Sequence, residues 1–414
     1  MVIAAASTII EWYDFTLYLY LVTILSRAFF GAASTGVAAT LAGFALAYLM
    51  RPLGALVFGH VGDRYGRRTT MLASMALMTA AMLVTACLPT RAAIGPAAGG
   101  ILIALRCVMA FAVGGEYTGV VAYLIESAPV KRRGLVTSLA AAASEVGALL
   151  AAGVSATLAL ALPTAALDAW GWRIAFALGA AMAGFVLVAR MHLQETPEFE
   201  RQRNAGSIPV YPAWQMLTHN LKPVARGFAI SALGSISYYV GITYVPTMLI
   251  STGAMSEDRA LVLATLAAAV VITVTPFVGL ASDRFGRRPV LLAVTLLCAV
   301  LPVSLFAAMS GASFAQALGA AVVLAALGGA FSAVGAVTTA ELLPGEGRLS
   351  GLALGTTAAT ALFGGLTPYL AQRWIDASGL RIVPGIMIAC VALALLPVLW
   401  WLPETRPNRP GTQD

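Results

Sequence analysis

Five charged side chains stand where almost nothing else is charged. Glu11 and Asp14 interrupt the apolar run that opens the chain, Arg106 lies in the middle of the fourth long apolar stretch, Glu116 follows it there, and Glu145 sits in the fifth. Charges in such surroundings are costly and tend to mark a solute or proton pathway. An arginine so placed can bind a substrate carboxylate or hold a neighbouring acid in its charged state, and a partly buried carboxyl can exchange a proton near neutral pH. Glu11 and Asp14, three residues apart, share one face of a helix. Asp14 and Glu116 are the leading proton-coupling candidates, with Glu145 a further one; a pair between Glu145 and Arg106 would itself be the coupling element. The plainer readings are a structural ion pair for Arg106 and a place near a gate for Glu116. In the seventh stretch Tyr238, Tyr239 and Tyr244, with Pro246, interrupt an otherwise apolar run. Rings with hydroxyl handles suit a cavity wall and can hold a quaternary ammonium, or they can pack or sit at an interface.

The elements that must carry these groups follow from composition. Of 414 residues, 60% are hydrophobic and 10% charged, with a mean hydropathy of +0.87. A chain this long and this apolar cannot cover a soluble surface. Apolar stretches near the 20 residues needed for a span recur along its length, at 2–25, 38–58, 69–88, 97–124, 135–162, 172–191, 224–250, 259–280, 289–309, 313–339, 349–371 and 382–402. Long apolar runs, rather than short alternating ones, predict helices in a bilayer. The expected fold is an all-α membrane bundle of about twelve spans. The four cysteines (Cys87, Cys107, Cys298, Cys390) lack metal-like spacing and read as buried packing residues.

One long polar stretch divides the chain into a six-helix half at 1–191, a central linker at 192–222, a second six-helix half at 223–402 and a tail at 403–414. The halves repeat. GHVGDRYGRR at 59–68 returns as GLASDRFGRR at 279–288; Glu126, Pro129 and Arg133 return as Glu341, Pro344 and Arg348; Glu195-Thr196 returns as Glu404-Thr405. Three landmarks in one order imply two halves of the same orientation. In each polar link Gly59, Gly62 and Gly66, or Gly279 and Gly286, allow a tight turn and close backbone approach. Asp63 and Asp283 can complement the positive start of a neighbouring helix. Arg64, Arg67, Arg68, Arg284, Arg287 and Arg288 pin the links to one face. The side that carries the repeated links, the linker and the C-terminus holds 17 of the 25 basic residues, which places that face and both termini in the cytoplasm. The net charge of +7 is thus a topology signal rather than a nucleic-acid footprint.

No phosphate-binding loop is present, since Lys131 and Lys222 follow Val130 and Leu221 rather than a glycine. Zinc-protease, paired-cysteine, nucleophile-elbow and dinucleotide patterns are missing too, so no metal, no cofactor and no enzymatic reaction is expected. His60, His192 and His219 read as solvated. No cleavable signal peptide is visible at the start.

The paired links resemble the major facilitator superfamily over essentially the whole chain. Glu11-Trp-Tyr13-Asp14-Phe15, Arg51-Pro-Leu-Gly54, Gly114-Gly-Glu116-Tyr117, Glu126 to Gly134, Trp172-Arg173, Glu195-Thr-Pro197 and Phe363 to Pro368 resemble its metabolite:proton symporter family, which includes proline/betaine, shikimate, ketoglutarate and citrate carriers. That resemblance implies a proton-coupled symporter of a small carboxylate-bearing or zwitterionic metabolite. It implies alternating access about a central site, with Arg106, Glu11, Tyr13, Tyr117 and the three tyrosines of the seventh span at the substrate. The link residues, with Glu126, Arg133, Glu341 and Arg348, would form the gates. The expected partners are the lipid bilayer, the solute and protons, and the expected protein is a monomer of a bacterial inner membrane. The family's basic tail before the first span is not seen here, so a truncated or misplaced start is one reading of Met1. Where the family reads Arg-x-x-Gln-Gly, this chain has Arg106-Cys-Val-Met109-Ala110. The alternatives are a facilitator or an antiporter on the same fold and, more remotely, a membrane sensor that transports nothing.

Overall fold

The computed structural model describes residues 2–31, 40, 43, 46–309 and 313–406. Most of the expected start of the second span, at 38–45, and the end of the expected tail, at 407–414, lie outside these residues. The spanning helices are α1 (Val2–Tyr20), α2 (Met50–Tyr65), α3 (Arg67–Cys87), α4 (Ala97–Ser127), α5 (Arg133–Ala161), α6 (Trp172–Arg190), α7 (Leu221–Ser251), α8 (Glu257–Phe285), α9 (Arg287–Met309), α10 (Phe314–Leu342), α11 (Arg348–Ser378) and α12 (Val383–Trp400). Among the described residues ten helices are long and apolar enough to cross a membrane. The bent pair Ile3–Tyr20 and Val22–Phe30, turned by 63°, makes an eleventh. The remaining helix, α2, shows 16 residues. In hydrocarbon each backbone group must find its partner within the segment, so these runs become helices rather than open sheet.

Each half has its own apolar core. Tyr13, Leu17, Met78, Met82, Trp172 and Phe176 anchor the first, and Leu233, Val240, Leu291, Phe306, Phe331 and Ile388 the second. A smaller cluster joins them near the motif-bearing face, where Val121 and Ile125 of α4 meet Val224, Val337, Leu349 and Leu352. Where α5 crosses α8, a Cβ on Gly134 or on Gly279 would press against the other glycine's carbonyl. Small residues therefore set how near these two helices can come.

The polar links are shorter than the sequence suggested. Residues 59–68 and 279–288 are helical except for Gly66 and Gly286, which hold φ at 108° and 106°. Glycine alone adopts that backbone without strain, so one residue suffices to reverse the chain. The linker is also partly helical, at Pro197–Ala205 and Pro212–His219. A second correction concerns the cysteines. All four are free, but only Cys298 is buried; Cys87 and Cys390 are exposed on helix surfaces. An apolar run does not distinguish a lipid-facing from a protein-facing side.

The two halves are latched together on the motif face. Asp63 at the end of α2 accepts hydrogen bonds from the backbone N–H groups of Leu349 (3.1 Å) and Ser350 (2.8 Å), at the start of α11. Asp283 at the end of α8 accepts from Gly134 (2.8 Å) and Leu135 (2.9 Å), at the start of α5. These are the donors that a helix start leaves unpaired, and the helix dipole favours the carboxylates there. Buried arginines brace each latch. Arg67 meets Glu126 (3.0 Å) and Asp63 (3.5 Å) and donates across the seam to the Gly345 carbonyl (2.8 Å). Arg287 meets Asp283 (2.8 Å) and Glu341 (3.1 Å). Glu195 caps the start of α3 through the N–H groups of Arg67 and Arg68, and Glu404 does the same for Arg287 and Arg288 on α9. Thr196 donates to Glu126 (2.6 Å) and Thr405 to Glu341 (2.9 Å). The symmetry breaks at one place. Arg348 crosses the seam to Glu126 at 2.8 Å, whereas Arg133 forms no such pair with Glu341 among the described residues, and its buried Nε has no hydrogen-bond partner.

Asp63→Ala combined with Asp283→Ala should weaken the seam by about 1–2 kcal/mol per latch, a factor of about 5–30 for each latch in the balance of closed and open forms. Alkylation of a cysteine placed at Ser231, in a background free of native cysteines, measures this. The rate from the motif side should rise in the double variant and stay low in the parent.

Candidate functional site

A cavity of about 190 Å³ lies between the halves, above the latches. The first half contributes Glu11 and Trp12 from α1, Arg51 and Pro52 from α2, Tyr117 and Thr118 from α4, and Ser144 from α5. The second half contributes no charge; it brings Tyr238, Tyr239, Phe331, a row of hydroxyls (Ser231, Ser235, Ser332, Thr356, Thr357, Thr360) and small or aliphatic residues such as Ile230 and Val271. Part of this wall forms where α7 and α11 widen into π-helical turns at Tyr239–Thr243 and Ala353–Thr357. Such turns re-aim side chains and recur at functional sites.

The far end of the cavity is aromatic. Tyr48 donates to the Tyr239 hydroxyl across the seam at 2.9 Å. Trp12 meets the rings of Tyr238 and Tyr239 at 5.2 and 6.5 Å. Tyr48 precedes Asp63 by fifteen residues, roughly 22 Å of helix, so this cluster and the latches bound the cavity from opposite ends.

Arg51 supplies the cation in the cavity wall. Its guanidinium lies 4.9 Å from the Tyr48 ring and 5.1 Å from the Phe15 ring, and its nearest carboxylate is Glu11 at 3.7 Å. That separation is too long for a hydrogen bond, and Glu11 Oε2 is buried with no partner among the described residues. Both groups thus retain unused hydrogen-bonding capacity toward the cavity. The sequence places Arg51, like Arg106, inside a span and in a matched stretch, but assigns it no role at the site. The rule that singled out Arg106, a cation inside an apolar span, applies to Arg51 equally.

Arg106 occupies a side pocket of about 30 Å³ that shares Glu11, Tyr48, Arg51 and Val113 with the main cavity. Its two terminal nitrogens donate to the two oxygens of Asp14 at 2.8 and 3.0 Å, and its guanidinium sits over the Tyr18 and Phe176 rings. Arg106 therefore pairs with Asp14 and not with Glu145. A planar fork matched to a carboxylate on the facing helix explains the choice.

Glu145 instead accepts a hydrogen bond from Tyr238 across the seam at 2.5 Å. Glu116 lies away from the cavity, buried between Ser74 (2.5 Å) and Arg190 (2.6 Å). Arg190 also donates to the Met71 and Ala4 carbonyls and to Ser7, which ties α1, α3, α4 and α6 together. Nothing in the sequence pointed to Arg190, which reads as one more basic residue at a span end. Tyr117, Tyr238 and Tyr239 line the cavity. Tyr13 lies in the first core and donates to the Ala175 carbonyl (2.8 Å), and Tyr244 lies in the second and donates to Gln372 (2.6 Å).

Comparison with known proteins agrees with this architecture. The chain matches the model of the sugar (and other) transporter family twice, over residues 1–207 and 198–409. It is 33% identical to the alpha-ketoglutarate permease of Escherichia coli K12, covering 89% of this chain and 85% of that one. It is 30% identical to the citrate-proton symporter of Klebsiella pneumoniae (93% and 87%) and 29% identical to the proline/betaine transporter of Escherichia coli K12 (98% and 83%). Among solved structures, the proton:xylose symporter XylE of the major facilitator superfamily, bound to 6-bromo-6-deoxy-D-glucose, superposes with a TM-score of 0.80 at 19% identity, covering 98% of this chain and 95% of that one. The inward-open form of the Escherichia coli xylose transporter XylE superposes with 0.67 at 21% identity, covering 97% and 95%. The chain is an integral membrane transporter, not an enzyme, and belongs to the sugar (and other) transporter family of the major facilitator superfamily.

Proposed function

We propose that this transporter is a proton-coupled symporter of a small carboxylate-bearing or zwitterionic metabolite, working by alternating access. The observation that carries this reading is the loosely held Arg51 in the cavity wall, beside a buried Glu11 oxygen that has no partner among the described residues. A substrate carboxylate would take the guanidinium, and a substrate ammonium would take Glu11 and the neighbouring ring faces. The names of the similar proteins, an alpha-ketoglutarate permease, a citrate-proton symporter and a proline/betaine transporter, support the same chemical class. Asp14 carries the proton in this reading. It is bound bidentately by Arg106, and the shared wall of the two pockets lets a bound solute act on that pair. The motif face and both termini are cytoplasmic in the inner membrane of a bacterium, and the protein works as a monomer.

Proteoliposomes with purified protein, challenged with 2-oxoglutarate, citrate, proline and betaine, test the reading. One of these should alkalinise the outer medium as it enters, and Arg51→Gln should raise the KM for it by about 10- to 100-fold, the loss of one or two hydrogen bonds to a charged group. Exchange of labelled solute with no pH change would make the protein a facilitator, and binding without flux a sensor.

In Asp14→Asn, labelled counterflow should persist while accumulation against a gradient disappears. Accumulation at the parent level would remove Asp14 from coupling.

A further inference from the structure

The contact between Glu145 and Tyr238 differs from every other bridge between the halves. The latches on the motif face join carboxylates to backbone donors or to arginines. Here a carboxyl group of α5, 3% exposed, meets a phenol of α7 at 2.5 Å, and no cation lies within 4 Å of it among the described residues. The Tyr238 ring forms part of the cavity wall, packed between Trp12 (5.2 Å) and Tyr239 (5.4 Å), while its hydroxyl is turned to Glu145. One side chain thus reports on the cavity contents and on the distance between α5 and α7.

The surroundings leave Glu145 free of competing charge. Helix α5 packs against α1, α4, α8 and α10. From α1 come Glu11, which faces the cavity, and Asp14, which Arg106 of α4 neutralises. Also from α4, Glu116 is neutralised by Arg190, and Tyr117 lines the cavity. The interiors of α8 and α10 carry no ionisable side chain, and α7 adds Tyr239.

The geometry points to Glu145 and Tyr238 as a proton-sensitive clasp between the halves, with Tyr238 positioning the cavity wall according to the charge on Glu145. An ionised carboxylate accepts the phenol hydrogen about twice as strongly as a neutral carboxyl does. The ionised form therefore holds α7 against α5. A proton delivered to the carboxylate oxygen weakens the bond, frees the phenol to turn and loosens the seam. No covalent bond changes, and the proton returns to water when the clasp reforms. This inference rests on the proton-symport reading above and adds to it a second protonation site, separate from Asp14 and Arg106.

The test uses wild type, Glu145→Gln, Tyr238→Phe and the double variant in proteoliposomes. Two quantities are measured. One is the infrared carbonyl band of buried protonated carboxyls against pH, without solute. The other is the pH profile of uptake of whichever of 2-oxoglutarate, citrate, proline and betaine wild type carries. The clasp predicts a titrating band lost in Glu145→Gln and shifted in Tyr238→Phe. It also predicts that each single variant loses the same limb of the uptake profile, and that the double variant loses no more than either single one. A profile unchanged in Glu145→Gln, or a band that does not respond to Tyr238→Phe, overturns the clasp. If wild type carries solute without moving protons while the band behaves as predicted, the symport reading fails and the clasp stands.

Discussion

Two helix starts, those of α5 and α11, present backbone N–H groups with no partner in their own helix, and each is capped by an aspartate from the opposite half. This pairing of a carboxylate with a helix dipole is the constraint from which the rest of the structure follows. It needs α2 to end beside α11 and α8 to end beside α5, so it fixes how the halves meet. It needs Gly66 and Gly286 to reverse the chain in a single residue, so that the aspartates remain at the tips of their helices. The cavity exists above the latches because the seam is drawn tight below it.

Charge is divided unequally between the halves. Every formally charged side chain in the middle of a span, from Glu11 to Glu145, belongs to the first half, while the second half faces the cavity with rings, hydroxyls and small or aliphatic side chains. The first half keeps those charges by pairing them: Asp14 with Arg106, Glu116 with Arg190. Breaking such a buried pair on one side costs about 3–5 kcal/mol, so both pairs stiffen the half that holds them. The exceptions are Arg51 and Glu11, left 3.7 Å apart at the cavity wall, and Glu145, which meets the Tyr238 phenol rather than a cation.

Much of this was legible in the sequence, for identifiable reasons. Span number and the helical class follow from hydropathy, because the bilayer removes every other way to satisfy a backbone. The repeat was legible because both latches need the same residues, Gly, Asp and Arg, at the same spacing. Partner choice was not legible. Asp14, Glu116 and Glu145 are alike as carboxylates in apolar stretches, and only helix rotation sends one to Arg106, one to Arg190 and one to Tyr238. The same limit separates Tyr117, Tyr238 and Tyr239 from Tyr13 and Tyr244, which face the two cores, and leaves Cys87 and Cys390 exposed. Arg190 was hidden by its position at a span end, where an arginine is ordinarily a topology signal.

The central claim is that latches at one face and the aromatic cluster at the other bound one cavity that opens to each side in turn. Distances between spin labels in lipid nanodiscs test it most directly, with one pair at Tyr65 and Phe285 on the motif face and another at Trp170 and Leu380 on the opposite face. All four positions are exposed. Weakening the latches with Asp63→Ala and Asp283→Ala should lengthen the first distance and shorten the second in the same molecules. Lengthening at both faces together, or at neither, would contradict the account.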